Sequence, residues 1–450
     1  MALLAGVARA DVTPPVGVMM SGYAARKTPS VGVHDDLAAT ALYLEKDGVQ
    51  AGLVSLDLID VETRELDELR ARCQELAGVL GENVFVACSH THGGPLTEPR
   101  EGDKLLAAYL ENTWWKIAGA LSEAKRNAAP VRLGHARTEA RVAGNRRERT
   151  PDGRTILGFN PNLPSPRVTD VLRLDRADTG QPMAVLFQYG CHGTTMGGDN
   201  YLITADYQGS ARRFVERGLA GARAMFVGGC AGNQNPHPRG TFALAEQHGQ
   251  RLGAAVVHAA LSIEATREVE RLKVHALRHT LPLAELPTIQ ACRDDLTAAE
   301  AAAEAERQRA REKAQQAGVP CDPKIPLAWA TERRLKRAQE CLAAVERGEK
   351  DLFIPVELQA LALDDVALVS LPGEIFFEIG EEIRRRSPFR VTLPVDYANG
   401  SIGYVPTQAE VPFGGYEVQM SRAHRHGLPL RDDADAALIA GALAALAQAR

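Results

Sequence analysis

Residues Val84-Phe85-Val86-Ala87-Cys88-Ser89-His90-Thr91-His92-Gly93-Gly94-Pro95 carry the pattern that decides the fold: a short apolar run breaks directly into a polar, glycine-rich cluster. Such a run, bounded by turn-forming residues and too short for a helix, reads as a buried strand. The same grammar recurs along the chain. Met183–Gln188 leads into Gly190-Cys191-His192-Gly193-Thr194-Thr195, Ala224–Val227 into Gly229-Cys230-Ala231-Gly232-Asn233, and Val366–Leu371 into Pro372-Gly373-Glu374. A further strand is expected at Ala51–Ile59, and helical stretches at 63–76, 207–219, 244–260, 375–386 and 434–448 alternate with these runs. The alternation predicts an α/β fold with a largely parallel or mixed central sheet and helices on both faces. Loops that follow strands in such a sheet converge on one edge, where ligands usually bind. Four distant pieces of sequence are therefore expected to build one site.

Two histidines and a carboxylate brought together by strand ends suit a zinc ion, because imidazole nitrogen and carboxylate oxygen are its usual ligands and a catalytic site leaves one position for water. Within His90-Thr91-His92 the alternating directions of an extended chain send the two rings different ways. One of them is thus expected on the metal and the other free for proton transfer. Glycines at 93, 94, 193, 197, 198, 228 and 229 would let a ligand approach the backbone closely.

The 450 residues read as one domain, with 286–350 inserted as a helical hairpin. Its two helices are expected at 296–317, dense in Ala, Glu and Arg, and at 327–347, separated by Gly318-Val319-Pro320. A solvated excursion, a lid or a homo-oligomer contact would each suit it. A formal charge of −5 with both signs interspersed argues against nucleic acid as a partner. No apolar stretch approaches the ~20 residues of a membrane-spanning helix, so no stable membrane insertion is expected. The N-terminus lacks a basic leader, and seven scattered cysteines without a C-x-x-C pair favour reduced thiols, which together predict a cytoplasmic protein. His34-Asp35-Asp36 and His424-Arg425-His426 read as surface loops.

Asp11-Val12-Thr13-Pro14-Pro15, His90-Thr91-His92-Gly93-Gly94-Pro95, Asn145-Arg146, Cys191-His192-Gly193, Ala205-Asp206, Ala231-Gly232-Asn233, Leu371-Pro372-Gly373-Glu374, Gly403-Tyr404 and Tyr416-Glu417 follow one another in this order. The series resembles the neutral/alkaline non-lysosomal ceramidase N-terminal domain family over nearly the whole chain. The resemblance implies a zinc held by His90, His192, Glu374 and Tyr404, with an amide hydrolysed by a zinc-activated water. It also implies that His92, Arg146 and Tyr416 surround the reacting carbonyl: Arg146 and Tyr416 as hydrogen-bond donors to the oxyanion, His92 as the proton carrier to the leaving amine. Asp57 and Asp206 are candidates to orient the histidines by accepting their remaining ring N–H.

The sequence also departs from that family. Where ceramidases read G-D-x-S-P, this chain reads Gly232-Asn233-Gln234-Asn235-Pro236, and an asparagine at 235 is no nucleophile. The family's C-terminal immunoglobulin-like domain is not expected in this protein, and only 5% of the 450 residues are aromatic. A small, water-soluble amide or N-acyl substrate is therefore expected in place of ceramide. Zinc-dependent cleavage of an ester, lactone or phosphoester is the alternative chemistry. A non-catalytic scaffold of the same fold is the alternative from another class.

Overall fold

The computed structural model describes residues 1–98, 102–318, 325, 327–350, 352–421 and 428–450. His424-Arg425-His426, Cys321 and the Val319-Pro320 link lie outside the described residues. Eight strands make a mixed sheet: β1 (Leu4–Asp11), β2 (Ala38–Lys46), β3 (Val49–Leu56), β4 (Val84–Cys88), β5 (Ala129–Glu139), β6 (Val168–Arg176), β7 (Pro182–Tyr189) and β8 (Arg223–Gly228). Their order is β8-β7-β6-β5-β1-β2-β3-β4. A second sheet of four strands runs β9 (Leu272–Pro282), β10 (Phe353–Leu363), β11 (Val366–Ser370) and β12 (Val391–Val395). The mixed reading holds, and within these two sheets the parallel pairs are β3–β4, β7–β8 and β11–β12. The other pairs are antiparallel; the β2–β3 hairpin, for instance, turns on Asp47 and Gly48, whose φ angles of 49° and 86° match the residue types that tight hairpins favour.

The larger sheet is two four-stranded halves joined at one corner, because β1 and β5 pair only through Leu4↔Pro130 and Ala5↔Ala129. The halves fold toward each other until Ser55 Oγ on β3 donates to the Phe226 carbonyl on β8 at 2.6 Å. Opposite edges of the sheet thus become neighbours, and the loops after β4 and β8 meet. Helices α1 (Thr63–Ala77) and α2 (Lys104–Arg126) cover one half; α3 (Asp206–Gly218) and α4 (Phe242–Leu261) cover the other. The remaining faces share a leucine-rich core with the second sheet, whose far side is buried by α7 (Phe377–Arg386) and α9 (Ala434–Gln448). Helices therefore flank a pair of stacked sheets.

Helix α2 was not among the expected helices, although its pattern is regular. Leu106, Leu110, Trp114, Ile117, Leu121 and Ala124 fall at three- and four-residue steps on the buried face. The Asp103 side chain caps it by accepting the Leu106 N–H. Full burial of each large side chain of this stripe is worth about 1.5–3 kcal/mol. Between the antiparallel neighbours β9 and β10 lie α5 (Ile289–Gln316) and α6 (Trp329–Glu346), which form the expected hairpin. Helix α5 starts seven residues before the expected 296 because the Thr288 hydroxyl caps the Ala291 N–H. Among the described residues no helix is long and apolar enough to cross a membrane.

Glu62 stands at the N-terminus of α1, and burial, reinforced by Asp60, Glu98 and Glu65, pushes its carboxyl up to about 8. The folded chain keeps a proton there that the unfolded chain releases near the ordinary value of about 4.3, so this group costs stability as pH rises from the lower value through the higher. Glu62→Gln should melt with wild type at about pH 4 and above it at about pH 9. Coincident melting curves at both pH values would show that Glu62 charges freely in the folded state.

Candidate metal centre and active site

The three parallel strand pairs are the ones whose C-terminal ends carry the polar clusters. From β4 come His90 and His92, from β7 His192, and from β8 the loop 229–235; β11 leads to Glu374 and β12 to Asp396 and Tyr397. The loops are stitched together by their backbones. His92 N donates to the Gly193 carbonyl at 2.9 Å, and Gly232 N donates to the Ile375 carbonyl at 2.8 Å. Two glycines make these approaches feasible: a Cβ at Gly193 would lie 2.8 Å from the His90 carbonyl oxygen, and one at Gly232 would lie 2.3 Å from that of Glu374. Glu374 and Tyr404 reach one place by a different device, a short parallel pairing in which they stand in register.

His90 adopts a φ of 57°. This left-handed conformation costs a non-glycine residue of order 1–3 kcal/mol and is retained where the surroundings over-determine it. It breaks the alternation of an extended chain, so the expectation that the His90 and His92 rings diverge is corrected: their Nε2 atoms lie 3.2 Å apart. With His192 they form a compact group of three imidazoles, each offering one ring nitrogen within 4.8 Å of the other two.

The tautomers of the two outer members are fixed by backbone. His90 Nδ1 donates to the Ile59 carbonyl at 2.7 Å, and His192 Nδ1 donates to the Ala231 carbonyl at 2.7 Å. Carbonyls only accept, so both Nε2 atoms carry lone pairs. These lone pairs face Glu374 Oε2 at 3.5 Å from His90 and 3.0 Å from His192. Burial raises the Glu374 carboxyl, but the adjoining imidazoles of His192 and His90 outweigh it and hold the group well below the ordinary carboxylate range. Burial, aided by the Arg146 charge, lowers His192 to about 4. At neutral pH the centre thus presents a carboxylate to an unprotonated imidazole, both in the forms that bind metal.

Arg146 is buried and hydrogen-bonds with all three nitrogens, two of them turned to this centre. Nη1 donates to His192 Nε2 and to Asn235 Oδ1, both at 3.2 Å; Nη2 donates to the Tyr404 hydroxyl at 3.0 Å; and Nε donates to Glu417 at 2.8 Å. Burial opposes its charge, yet Tyr404, Glu417 and Glu374 together raise it above the ordinary arginine value. Tyr404 is itself buried, which pushes its phenol well up against the lowering influence of Arg146. Tyr416 lies at the rim, 42% exposed, with its ring centroid 5.7 Å from that of Tyr404.

The structure therefore gathers His90, His92, His192, Glu374, Tyr404 and Arg146 around one point, with Tyr416 beside them. Asp57 and Asp206 do not join the group, and their expected role is corrected. Asp57 accepts from the Ala38 N–H and from Arg212, and Asp206 from the Tyr207 and Met196 N–H groups, so both carboxylates are spent away from the imidazoles. Neutral carbonyls of Ile59 and Ala231 do the orienting instead. Cys88, Cys191 and Cys230 are buried, which pushes each thiol well above its ordinary value; they act as small hydrophobes. Tyr397 was not foreseen: its ring stacks on His90 at 3.7 Å, and its hydroxyl lies 3.4 Å from His192 Nδ1. Its neighbour Asp396 accepts the Ala231 N–H at 2.8 Å and so fixes the loop that holds His192. Extending the strand-then-polar-cluster pattern to Val391–Val395 would have found both.

These observations test whether a metal fits. A tetrahedral ion with bonds of about 2.0–2.1 Å separates its ligand atoms by about 3.3 Å. The 3.0 Å and 3.5 Å separations from Glu374 Oε2 to the two Nε2 atoms straddle that figure. Nitrogen lone pairs facing a carboxylate oxygen in a buried pocket are reconciled by a cation; among the described residues the Arg146 N–H reaches the lone pair of His192. The donor set fits a divalent ion.

Fold and site together define a mixed α/β protein with a buried histidine–carboxylate centre of metal-binding type. The chain is similar to neutral ceramidases, whose fold it shares. The crystal structure of neutral ceramidase from Pseudomonas aeruginosa superimposes with a TM-score of 0.70 at 21% identity, covering 100% of this chain and 75% of that one. A structure described as ceramidase complexed with C2 gives 0.70 at 19% identity, covering 99% and 75%. In sequence, the neutral ceramidase of Mycobacterium tuberculosis is 26% identical over 223 residues, which is 45% of this chain and 34% of that relative. The sequence match thus spans about a third of that relative's length. No family model matches the chain.

Metal analysis of the purified protein should find about one divalent ion per chain in wild type and its loss in His90→Ala and in Glu374→Ala, since a closed ligand set fails when one member is removed. Full occupancy in both variants would place the ion elsewhere.

Proposed function

We propose that this chain is a zinc-dependent hydrolase of amide bonds, acting on N-acyl compounds. The observation that carries the reading is the approach of His90 Nε2 and His192 Nε2 to Glu374 Oε2, at 3.5 Å and 3.0 Å, beside the buried cation of Arg146, in a fold shared with neutral ceramidase. In this proposal His90, His192, Glu374 and Tyr404 hold the ion. When bound, zinc supplies Lewis acidity that makes water nucleophilic near neutral pH and polarises a carbonyl.

The protein's own groups supply the rest. Arg146 presents fixed N–H donors where negative charge develops on the carbonyl oxygen, and needs no reorganisation because Glu417, Asn235 and Tyr404 already hold it. Tyr416, at the rim, adds a hydroxyl donor from the solvent side. His92 carries the proton to the leaving nitrogen: burial lowers it well below its ordinary value, so it is unprotonated before the reaction, and its Nδ1 has no partner among the described residues. The half-exposed rim and the asparagine at 235 favour a compact, water-soluble N-acyl amine over ceramide.

The test is a hydrolysis panel of short N-acyl amines, ceramide, esters and lactones. Short N-acyl amides should be cleaved, with activity lost after dialysis against a chelator and restored by zinc. Turnover of esters alone would replace the amide reading with the esterase one, and no turnover by zinc-loaded protein would end both. Arg146→Met should lower kcat by about 10²- to 10³-fold, the usual cost of removing one oxyanion donor.

A further inference from the structure

Beside the centre runs a ladder of alternating charge, buried at its inner end, whose members come from distant parts of the chain. Arg146 Nε meets Glu417 Oε1 at 2.8 Å, and Arg147 Nη1 meets Glu417 Oε2 at 2.7 Å. Arg147 Nε and Arg149 Nη2 each meet Glu410 Oε2 at 2.6 Å. Glu417, in the short helix α8 (Tyr416–Met420), is 1% exposed, and Arg147 is fully buried. Buried carboxylates without such partners would take up protons; here the two arginines outweigh burial and hold Glu417 below its ordinary value.

The end of the ladder raises an electrostatic problem. Arg146 Nη1 lies 3.2 Å from His192 Nε2, the nitrogen that faces Glu374 Oε2 at 3.0 Å. A divalent ion held by His192 and Glu374 would share this dry pocket with a guanidinium, and two like charges so close repel strongly where water is excluded. The same N–H also competes with the ion for the His192 lone pair. One carboxylate, Glu417, balances Arg146 from the side away from the histidine, drawing on Nε while Nη1 and Nη2 stay turned to the centre.

We propose that Glu417 is a positioning residue that neutralises Arg146 and so allows a guanidinium and a divalent ion to occupy one pocket. The inference rests on the metal reading above and adds to it a determinant of metal affinity outside the ligand set. Replacing Glu417 by glutamine keeps the size of the side chain and one acceptor oxygen, which can stay on Arg146 Nε, and removes the charge together with the acceptor of Arg147 Nη1. Arg147 keeps Glu410 and the Gly414 carbonyl, so the substitution does not orphan it.

The experiment is zinc affinity, read by competition with a chromophoric chelator, in wild type, Glu417→Gln, Arg146→Met and the double variant. Glu417→Gln should bind zinc about 10- to 100-fold more weakly, as is usual when the surroundings of a metal ligand are altered. Arg146→Met should bind at least as tightly as wild type, and the double variant should recover most of the loss, because the charge imbalance disappears with the arginine. A merely structural role for Glu417 predicts a double variant no better than Glu417→Gln, and that result, or a Glu417→Gln affinity equal to wild type, overturns the proposal. Should Glu417→Gln not fold, Arg146→Met alone still decides: weaker zinc binding there shows that Arg146 supports the ion and overturns the inference. A wild type that binds zinc but cleaves no amide sinks only the hydrolase reading; one that binds no zinc sinks both.

Discussion

Two imidazole nitrogens are held within 3.5 Å of one carboxylate oxygen in a buried pocket, and the rest of the molecule is arranged to make that costly contact persist. The imidazoles cannot escape by changing tautomer, because each Nδ1–H is consumed by a backbone carbonyl. Carboxylates in those orienting positions would add negative charge to a centre that already holds Glu374. Carbonyls fix the same tautomer while leaving the local charge at one carboxylate against one guanidinium, the latter balanced by Glu417. A divalent ion there would meet one carboxylate at the centre and a second, Glu417, behind Arg146.

Holding such a contact requires rigid backbone on every side, and the architecture supplies it at strand ends. A flat eight-stranded sheet would set the loops after β4 and β8 at opposite edges, far out of reach of each other. The two-residue junction between β1 and β5 lets the halves close, and the Ser55–Phe226 hydrogen bond marks where the edges meet. The second sheet contributes Glu374 and Asp396 from its own parallel pair, so the site is built at the seam of three parallel pairs. The antiparallel strands between them carry none of the site's side chains. Their work is to bury the leucine-rich core that keeps the halves together.

Legibility in the sequence follows this division. Strands that end in the site have continuous apolar runs and abrupt polar breaks, so β4, β7, β8 and β11 could be read directly. Strand β5 alternates, Val131-Arg132-Leu133-Gly134-His135, with one face polar, and hides among loop-like segments. Residue types sufficed to nominate His192, Glu374 and one of His90 and His92; Arg146 came only with the family resemblance. They could not show that a left-handed backbone turns His90 toward His92, since local pattern reasoning assumes regular strand geometry. Nor could they separate Asp57 from Ile59, two positions apart, where the carbonyl of one orients His90 while the carboxylate of the other faces Arg212. The burial of Arg146 and Arg147 was equally hidden, because their partners Glu410 and Glu417 lie more than 260 residues away.

The asparagine at 235 shows how the site can depart from a resembled pattern without losing its logic. A guanidinium has donors only, so the Asn235 atom facing Arg146 Nη1 at 3.2 Å must be the side-chain oxygen, and the amide orientation is fixed. The same oxygen accepts from the Thr194 hydroxyl at 3.1 Å. What position 235 contributes is thus an acceptor that, with Glu417, pins Arg146 from two sides while leaving Nη2 on Tyr404. A serine hydroxyl also carries acceptor lone pairs, and in neither case does holding Arg146 require nucleophilicity. The loss of a serine here is therefore compatible with hydrolysis in which the attacking oxygen comes from water, and it moves the question of specificity to the shape of the rim around Tyr416.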